Sequence, residues 1–262
     1  MNRVAFNIFG FNVYYYSLCI LLGVIVAYIL ITREGKKQGL QKEFISDLIF
    51  YTLIIGILGA RVYYCVFNLD YYLANPSEIL KIYNGGLAIH GGVIAGLIFV
   101  YFYTKKKNFS FIKILDIVAP AVIIAQSFGR WGNFFNQEAH GGITTYQNLK
   151  NMHIPEFIIN GMHIEGKYYY PTFFFESIWC LIGFIILMIA RRNKNLRKGF
   201  QIGFYFIWYG IGRFFIEAFR TDSLMFFGLK IAQIVSLIGI IIGIIIIVTN
   251  RNKKYYNEME VK

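Results

Sequence analysis

Apolar positions in this chain come in runs rather than in alternation. Stretches of roughly 18 to 22 mostly apolar residues recur along its whole length, and that is the length a helix needs to cross a bilayer. Seven such segments are predicted, near 13–31, 45–67, 86–103, 112–134, 172–190, 201–219 and 228–249. A helix satisfies its own backbone polar groups, as hydrocarbon surroundings require. A transmembrane barrel would instead alternate apolar and polar residues. The pattern predicts an all-α polytopic membrane protein, a single integral-membrane domain over 1–262, with one long polar and aromatic outer loop at 136–170.

Composition narrows the class. Of 262 residues, 57% are hydrophobic and 15% charged, against about 25% charged in a soluble domain. Mean hydropathy is +0.52. A disordered chain, a small disulfide scaffold and an ordinary soluble enzyme are excluded. Cys19, Cys65 and Cys180 each lie inside an apolar run without a CxxC spacing, as small buried hydrophobes do. No small-residue cleavage site follows the first run, so it is expected to stay as a helix rather than leave as a signal peptide.

The net charge of +12 would suggest nucleic acid in a soluble protein. Its placement points instead to topology and anionic lipid, with no nucleic-acid partner. Arg33, Lys36, Lys37 and Lys42 follow span 1, and Lys105, Lys106, Lys107 and Lys113 follow span 3. Arg191, Arg192, Lys194, Arg197 and Lys198 follow span 5, and Arg251, Lys253, Lys254 and Lys262 end the chain. These 17 share one side, whereas Arg3, Lys81, Lys150, Lys167, Arg220 and Lys230 make 6 on the other. The N-terminus is therefore expected outside and the C-terminus in the cytoplasm.

The remaining basic residues, Arg61, Arg130 and Arg213, lie within spans. Ionisable residues there are costly and mark functional sites by default. With this topology Tyr16, Arg61, His90, Arg130, Glu176, Arg213 and Glu217 all fall toward the outer ends of six different spans, with Glu138 and Arg220 just beyond. One polar chamber at the centre of the helices, open toward the outer leaflet or the outer surface, accounts for that shared level. In span 6, Tyr209, Arg213, Glu217 and Arg220 fall within a helical arc of roughly 80°. The i,i+4 spacing of Arg213 and Glu217 fits either a structural pair locking the span or an arginine held ready for an anionic ligand.

Gly129-Arg130-Trp131-Gly132-Asn133-Phe134-Phe135-Asn136-Gln137-Glu138 is the densest cluster of such signals. Glycine permits close backbone approach, and arginine offers a planar fork for phosphate. A helix-terminating polar cap is the alternative reading. His90 stands between glycines in Gly85-Gly86-Leu87-Ala88-Ile89-His90-Gly91-Gly92. Its imidazole suits proton transfer, and a hydrogen-bonded structural histidine is the alternative. His140, His153 and His163 lack metal-ligand spacing, and no metal site is expected.

These residues resemble the prolipoprotein diacylglyceryl transferase family over nearly the whole chain. The segment Gly129 to Gly141 fits the family signature. Tyr16 in span 1, Gly59-Ala60-Arg61 in span 2, His90-Gly91-Gly92 in span 3, and Pro171-Thr172 before Glu176 follow in order. Tyr209-Gly210-Ile211-Gly212-Arg213 with Glu217, then Arg220 and Gln233, complete the match. Ser17, Phe175, Ala88 and Ile89 depart from the residues usual there. The resemblance implies transfer of a diacylglyceryl group from phosphatidylglycerol to the lipobox cysteine thiol of a prolipoprotein signal peptide, forming a thioether and releasing glycerol phosphate. It implies no cofactor and a place in the bacterial cytoplasmic (inner) membrane, with membrane lipid as partner and the site facing the outer leaflet. His90, Arg130 and Arg213 are then the expected catalytic residues. Tyr16, Arg61, Asn133, Glu138, Gly141, Glu176, Tyr209, Glu217, Arg220 and Gln233 are expected to line the substrate site. A lipid or anion transporter, or flippase, would use the same chamber but calls for polar residues at several depths and an inverted repeat. An intramembrane protease would want a Ser–His pair or twin Asp, and of such residues Ser127 and Ser177 are present.

Overall fold

The computed structural model describes residues 2–8, 10–221, 225–226, 228–252 and 256. Lys253, Lys254 and Lys262, which enter the topology count, lie outside the described residues. The chain is mostly helical. Its long helices are α1 (Tyr15–Lys37), α2 (Lys42–Val66), α4 (Ile89–Lys106), α5 (Phe111–Asn136), α8 (Thr172–Ala190), α9 (Phe200–Phe219) and α10 (Ile231–Asn250). Each falls on a predicted segment. Five of them, α1, α2, α5, α8 and α10, are long and apolar enough to cross a membrane. The other two are more polar, because α4 includes His90, Lys105 and Lys106, and α9 includes Gln201, Arg213 and Glu217.

The all-α expectation needs one correction. Three small antiparallel sheets are present: β1 (Val4–Ile8) with β2 (Phe11–Tyr14), β3 (Ile143–Thr144) with β5 (Lys167–Tyr169) and β4 (His163–Ile164), and β6 (Met225–Phe226) with β7 (Leu229–Lys230). Strands of two to five residues are too short to print a period-2 pattern. The first hairpin also moves the start of helix α1 to Tyr15, past the predicted 13.

The long loop at 136–170 is folded. Short helices α6 (Tyr146–Asn151) and α7 (Glu156–Gly161) pack Leu149, Ile158, Ile159 and Met162 against Phe134 of α5 and Phe173 of α8. Glu165 and Gly166 both take positive φ in the two-residue turn between β4 and β5, the backbone that matches strand twist. His163 stacks on Tyr168, and the His140 ring is tilted against that of Tyr169.

Contacts divide the chain into two compact units, one of residues up to Ile31 and from Leu115 onward, the other Thr32–Ile114. In the second unit, α2 and α4 meet along a glycine seam. A Cβ at Gly91 would lie 2.2 Å from Tyr63 Cβ and 2.5 Å from the Gly59 carbonyl oxygen. Without a hydrophobic drive between helices in lipid, such close backbone approach supplies the packing. Between these helices the chain forms α3 (Leu69–Ala74) and two 3-10 turns, Pro76–Leu80 and Ile82–Asn84.

In the first unit two reciprocal clasps set the helices. Ser127 Oγ donates to the Ser177 carbonyl at 2.9 Å, and Ser177 Oγ donates to the Ser127 carbonyl at 3.1 Å, joining α5 to α8. Both hydroxyls are thus engaged in holding helices together. Trp179 and Trp208 stack at 4.2 Å, each indole N–H donating to the other's carbonyl at 2.8 and 2.9 Å, joining α8 to α9. Each ring lies over a glycine of the opposite helix, Trp179 over Gly212 and Trp208 over Gly183.

A third tie lies at the other end of these helices. Pro120 lies inside α5 and has no N–H to give the Asp116 carbonyl. Arg191, at the end of α8, donates to that carbonyl at 3.0 Å and to that of Ile117 at 3.1 Å. The Asp116 carboxylate accepts from the backbone N–H groups of Gly199 and Ile202, where α9 starts. Arg191, expected only as a topology signal, is therefore also part of the frame. Gly91→Val should lower the melting temperature in detergent by several degrees, an overpacking cost of about 1–3 kcal/mol. Gly239→Ala, whose new methyl would meet nothing closer than 3.9 Å, should leave it unchanged.

Candidate active site

The two clasps end one turn from a buried cluster of charges. Three residues beyond Ser127 on α5 is Arg130, one before Ser177 on α8 is Glu176, and just beyond Trp208 on α9 are Tyr209 and Arg213. Glu176, 3% exposed, stands between two guanidinium groups. Its Oε1 lies 2.6 Å from Arg130 Nη2 and its Oε2 3.2 Å from Arg213 Nη1. Arg130 Nη2 also donates to the Tyr209 hydroxyl at 3.1 Å, which in turn donates to Glu176 Oε1 at 3.5 Å. Arg213 Nη2 pairs with Glu217 Oε2 at 2.8 Å, and Arg220 Nε lies 3.9 Å from the same oxygen.

Each carboxylate is thus shared by two arginines. Glu176 and Glu217 are nearly inaccessible, at 4% of each side chain, whereas the Arg130 and Arg213 side chains keep 21% and 17% exposure. Among the described residues, Nε and Nη1 of Arg130 and Nε of Arg213 make no hydrogen bond. Two guanidinium groups held from behind and open in front can take a phosphate ester and stabilise negative charge growing on it. Lys230, at the start of α10, donates to the carbonyls of Glu217 and Arg220 at 2.7 and 2.8 Å, so its charge meets the C-terminal end of the α9 dipole.

The other candidates fall around this cluster or in the second unit. Tyr16 lies flat against Gly132, where a Cβ would come 2.6 Å from its ring, and is 37% exposed. Asn133 and Asn136 donate to Glu138 Oε1 at 3.0 and 3.3 Å. Glu138, expected to line the substrate site, therefore orders the turn that ends α5, and the carboxylate on Arg130 is Glu176. Gly141 is paired backbone to backbone with Arg220 and donates to the Tyr170 carbonyl at 2.9 Å, tying the folded loop to the end of α9. Gln233 donates to the Phe214 carbonyl at 3.2 Å.

In the second unit Arg61 is buried, and its guanidinium serves the backbone. It donates to the carbonyls of Glu78, Ile79, Gly85 and Gly86, and it lies over the Tyr72 ring at 5.2 Å. Expected as a substrate-site residue, it straps the segment that leads to His90. Beside it the Glu78 carboxylate, 2.6 Å away, holds the Lys81 ammonium above its ordinary range. His90 is exposed in the first turn of α4, with its ring 6.4 Å from that of Tyr63. The glycines after it belong to the α2–α4 seam.

Sequence reasoning passed over Trp179, Trp208, Ser127, Ser177 and Lys230 as parts of the site's support. A signal was available for the first two: Trp179 and Gly183, and Trp208 and Gly212, repeat one Trp-x-x-x-Gly spacing on successive helices.

Comparison with known proteins gives a single answer. A family model described as prolipoprotein diacylglyceryl transferase matches residues 3–249. The chain is 48% identical over 251 residues to the phosphatidylglycerol–prolipoprotein diacylglyceryl transferase of Bacillus cereus (strain G9842), covering 96% of this chain and 93% of that one. The enzymes of the same name from Bacillus thuringiensis subsp. konkukian (strain 97-27) and Bacillus anthracis (strain CDC 684 / NRRL 3495) are 48% and 47% identical over the same shares.

Arg61→Met would leave four carbonyls without their donor. Hydrogen exchange over residues 78–88 should rise at least about tenfold, the effect of losing roughly 1.4 kcal/mol or more of local stability. Arg130→Lys, which keeps the charge and loses the fork, should lower kcat/KM for lipid transfer at least about tenfold.

Proposed function

We propose that this chain, a member of the prolipoprotein diacylglyceryl transferase family, works by gripping the phosphate of phosphatidylglycerol between Arg130 and Arg213. The chain is a transferase of lipoprotein biosynthesis that moves the diacylglyceryl group of phosphatidylglycerol to a prolipoprotein. The observation that carries the proposed grip is the pair of guanidinium groups held from behind by Glu176 and left with free donors in front.

The chemistry sets the roles. The acceptor is the lipobox cysteine thiol, which attacks best as thiolate. Its sulfur bonds to the diacylglycerol carbon that bears the phosphate ester, that carbon–oxygen bond breaks, and the electron pair leaves on the oxygen of glycerol phosphate. The thiol proton goes to a base, for which His90 is the proposed group. Arg130 and Arg213 stabilise the charge on the departing phosphate, with Asn133 and Tyr209 beside them. Glu217 fixes Arg213, Arg220 adds the third cation, and Gln233 and Gly141 hold the surrounding backbone. Tyr16, partly exposed at the start of α1, is the proposed contact for the headgroup or ester region of the lipid. Arg61 acts through the segment before His90.

The long helices are proposed as seven spans with the N-terminus outside and the C-terminus in the cytoplasm, on the 17-to-6 split of basic residues. The site then faces the outer leaflet of the bacterial cytoplasmic membrane, where the lipid and a signal-peptide helix reach it laterally.

Purified protein mixed with phosphatidylglycerol and a lipobox peptide should add one diacylglyceryl mass to the Cys peptide, release glycerol phosphate, and leave a Cys→Ser peptide unchanged. A folded preparation that binds the lipid and transfers nothing would overturn the reading. His90→Gln should lower kcat by about 100-fold or more, and full turnover by that variant would remove His90 as the base.

A further inference from the structure

The two sides of the reaction differ in charge at the phosphate. The phosphatidylglycerol phosphodiester has one negative charge. The phosphate monoester that leaves, once the carbon–oxygen electron pair stays on its oxygen, has about −1.5 to −2 at neutral pH. Arg130 and Arg213 alone would therefore hold product more tightly than substrate and slow each turnover at release. Glu176 is the group that counters this. Its carboxylate is bound to the same two guanidinium groups that face the ligand, 2.6 Å from Arg130 and 3.2 Å from Arg213, and is almost fully inaccessible. Any phosphate taken by the free donors of those arginines lies only one guanidinium away from it. Its negative charge offsets one of the two positive charges that the ligand meets, which favours a diester over a dianionic monoester.

We infer that Glu176 is a positioning residue that also sets this enzyme's preference for a monoanionic phosphodiester over the monoester product, so that glycerol phosphate is released rather than retained. The inference rests on the assignment of Arg130 and Arg213 to the phosphate. A carboxylate serving only to orient the arginines could be replaced by any well-packed hydrogen-bond acceptor. One serving to set charge cannot be replaced by an amide.

The test measures inhibition of lipid transfer at pH 8 by glycerol phosphate and by glycerophosphoglycerol, the deacylated diester headgroup. Wild-type enzyme, Glu176→Gln and Glu176→Asp are compared, with KM and kcat for phosphatidylglycerol. In the wild type the two inhibitors should agree within about threefold. In Glu176→Gln, glycerol phosphate should inhibit about tenfold more strongly, the scale of one charge removed at this distance. The diester constant and KM should stay within about threefold. Its kcat should fall behind a burst of about one thioether per enzyme, and Glu176→Asp should restore the ratio.

Equal weakening of both inhibitors in Glu176→Gln, or an unmoved ratio, would reduce Glu176 to a purely structural role. A wild-type enzyme that already holds the monoester tenfold more tightly than the diester would overturn the inference without any variant. Arg130→Gln and Arg213→Gln separate the two layers. Full activity in both sinks the phosphate assignment itself, whereas loss in both with an unmoved ratio in Glu176→Gln sinks only the charge-setting role.

Discussion

A carboxylate buried between two arginines governs the rest of this structure. Breaking such a pair by removing one partner costs about 3–5 kcal/mol, because it strands a buried charge. Glu176, Arg130 and Arg213 lie on three different helices, so the helices must be placed to within the reach of a hydrogen bond before the charges are tolerable at all. Glu217 extends the same arrangement along α9, its Oε2 paired with Arg213 and 3.9 Å from Arg220 at the helix end.

In lipid there is no hydrophobic force to bring those helices together, so they are joined by polar and steric contacts. The serine clasp sets α5 against α8, and the tryptophan clasp sets α8 against α9. At the far end Arg191 answers the carbonyl that Pro120 leaves open, and Asp116 caps α9. The helices are tied at both ends, and the charges lie next to one set of ties.

Helix positions were legible because apolar runs of span length admit few other structures. The small sheets were not, since a two-residue strand such as Ile143–Thr144 is set by its partner rather than by its own pattern. At the site, the i,i+4 pairing of Arg213 with Glu217 could be read from spacing on one helix. The partner of Arg130 could not. Glu138 is nearer in sequence, but choosing Glu176 needs the relative rotation of α5 and α8, which depends on two serines 50 positions apart. Arg61 shows the converse limit: a buried arginine looks alike in sequence whether it faces a ligand or four backbone carbonyls.

The tryptophan clasp also bears on how the chain tolerates change. Each indole donates to the carbonyl beneath the other and lies over the other helix's glycine, so the same four-residue interval is used twice, in opposite directions. A side chain elsewhere on α8 or α9 can be exchanged without touching this symmetry. A single residue inserted or deleted between Trp179 and Gly183, or between Trp208 and Gly212, turns one half of the joint by about 100° and leaves the other half without a mate. Those two short intervals should accept no change of length.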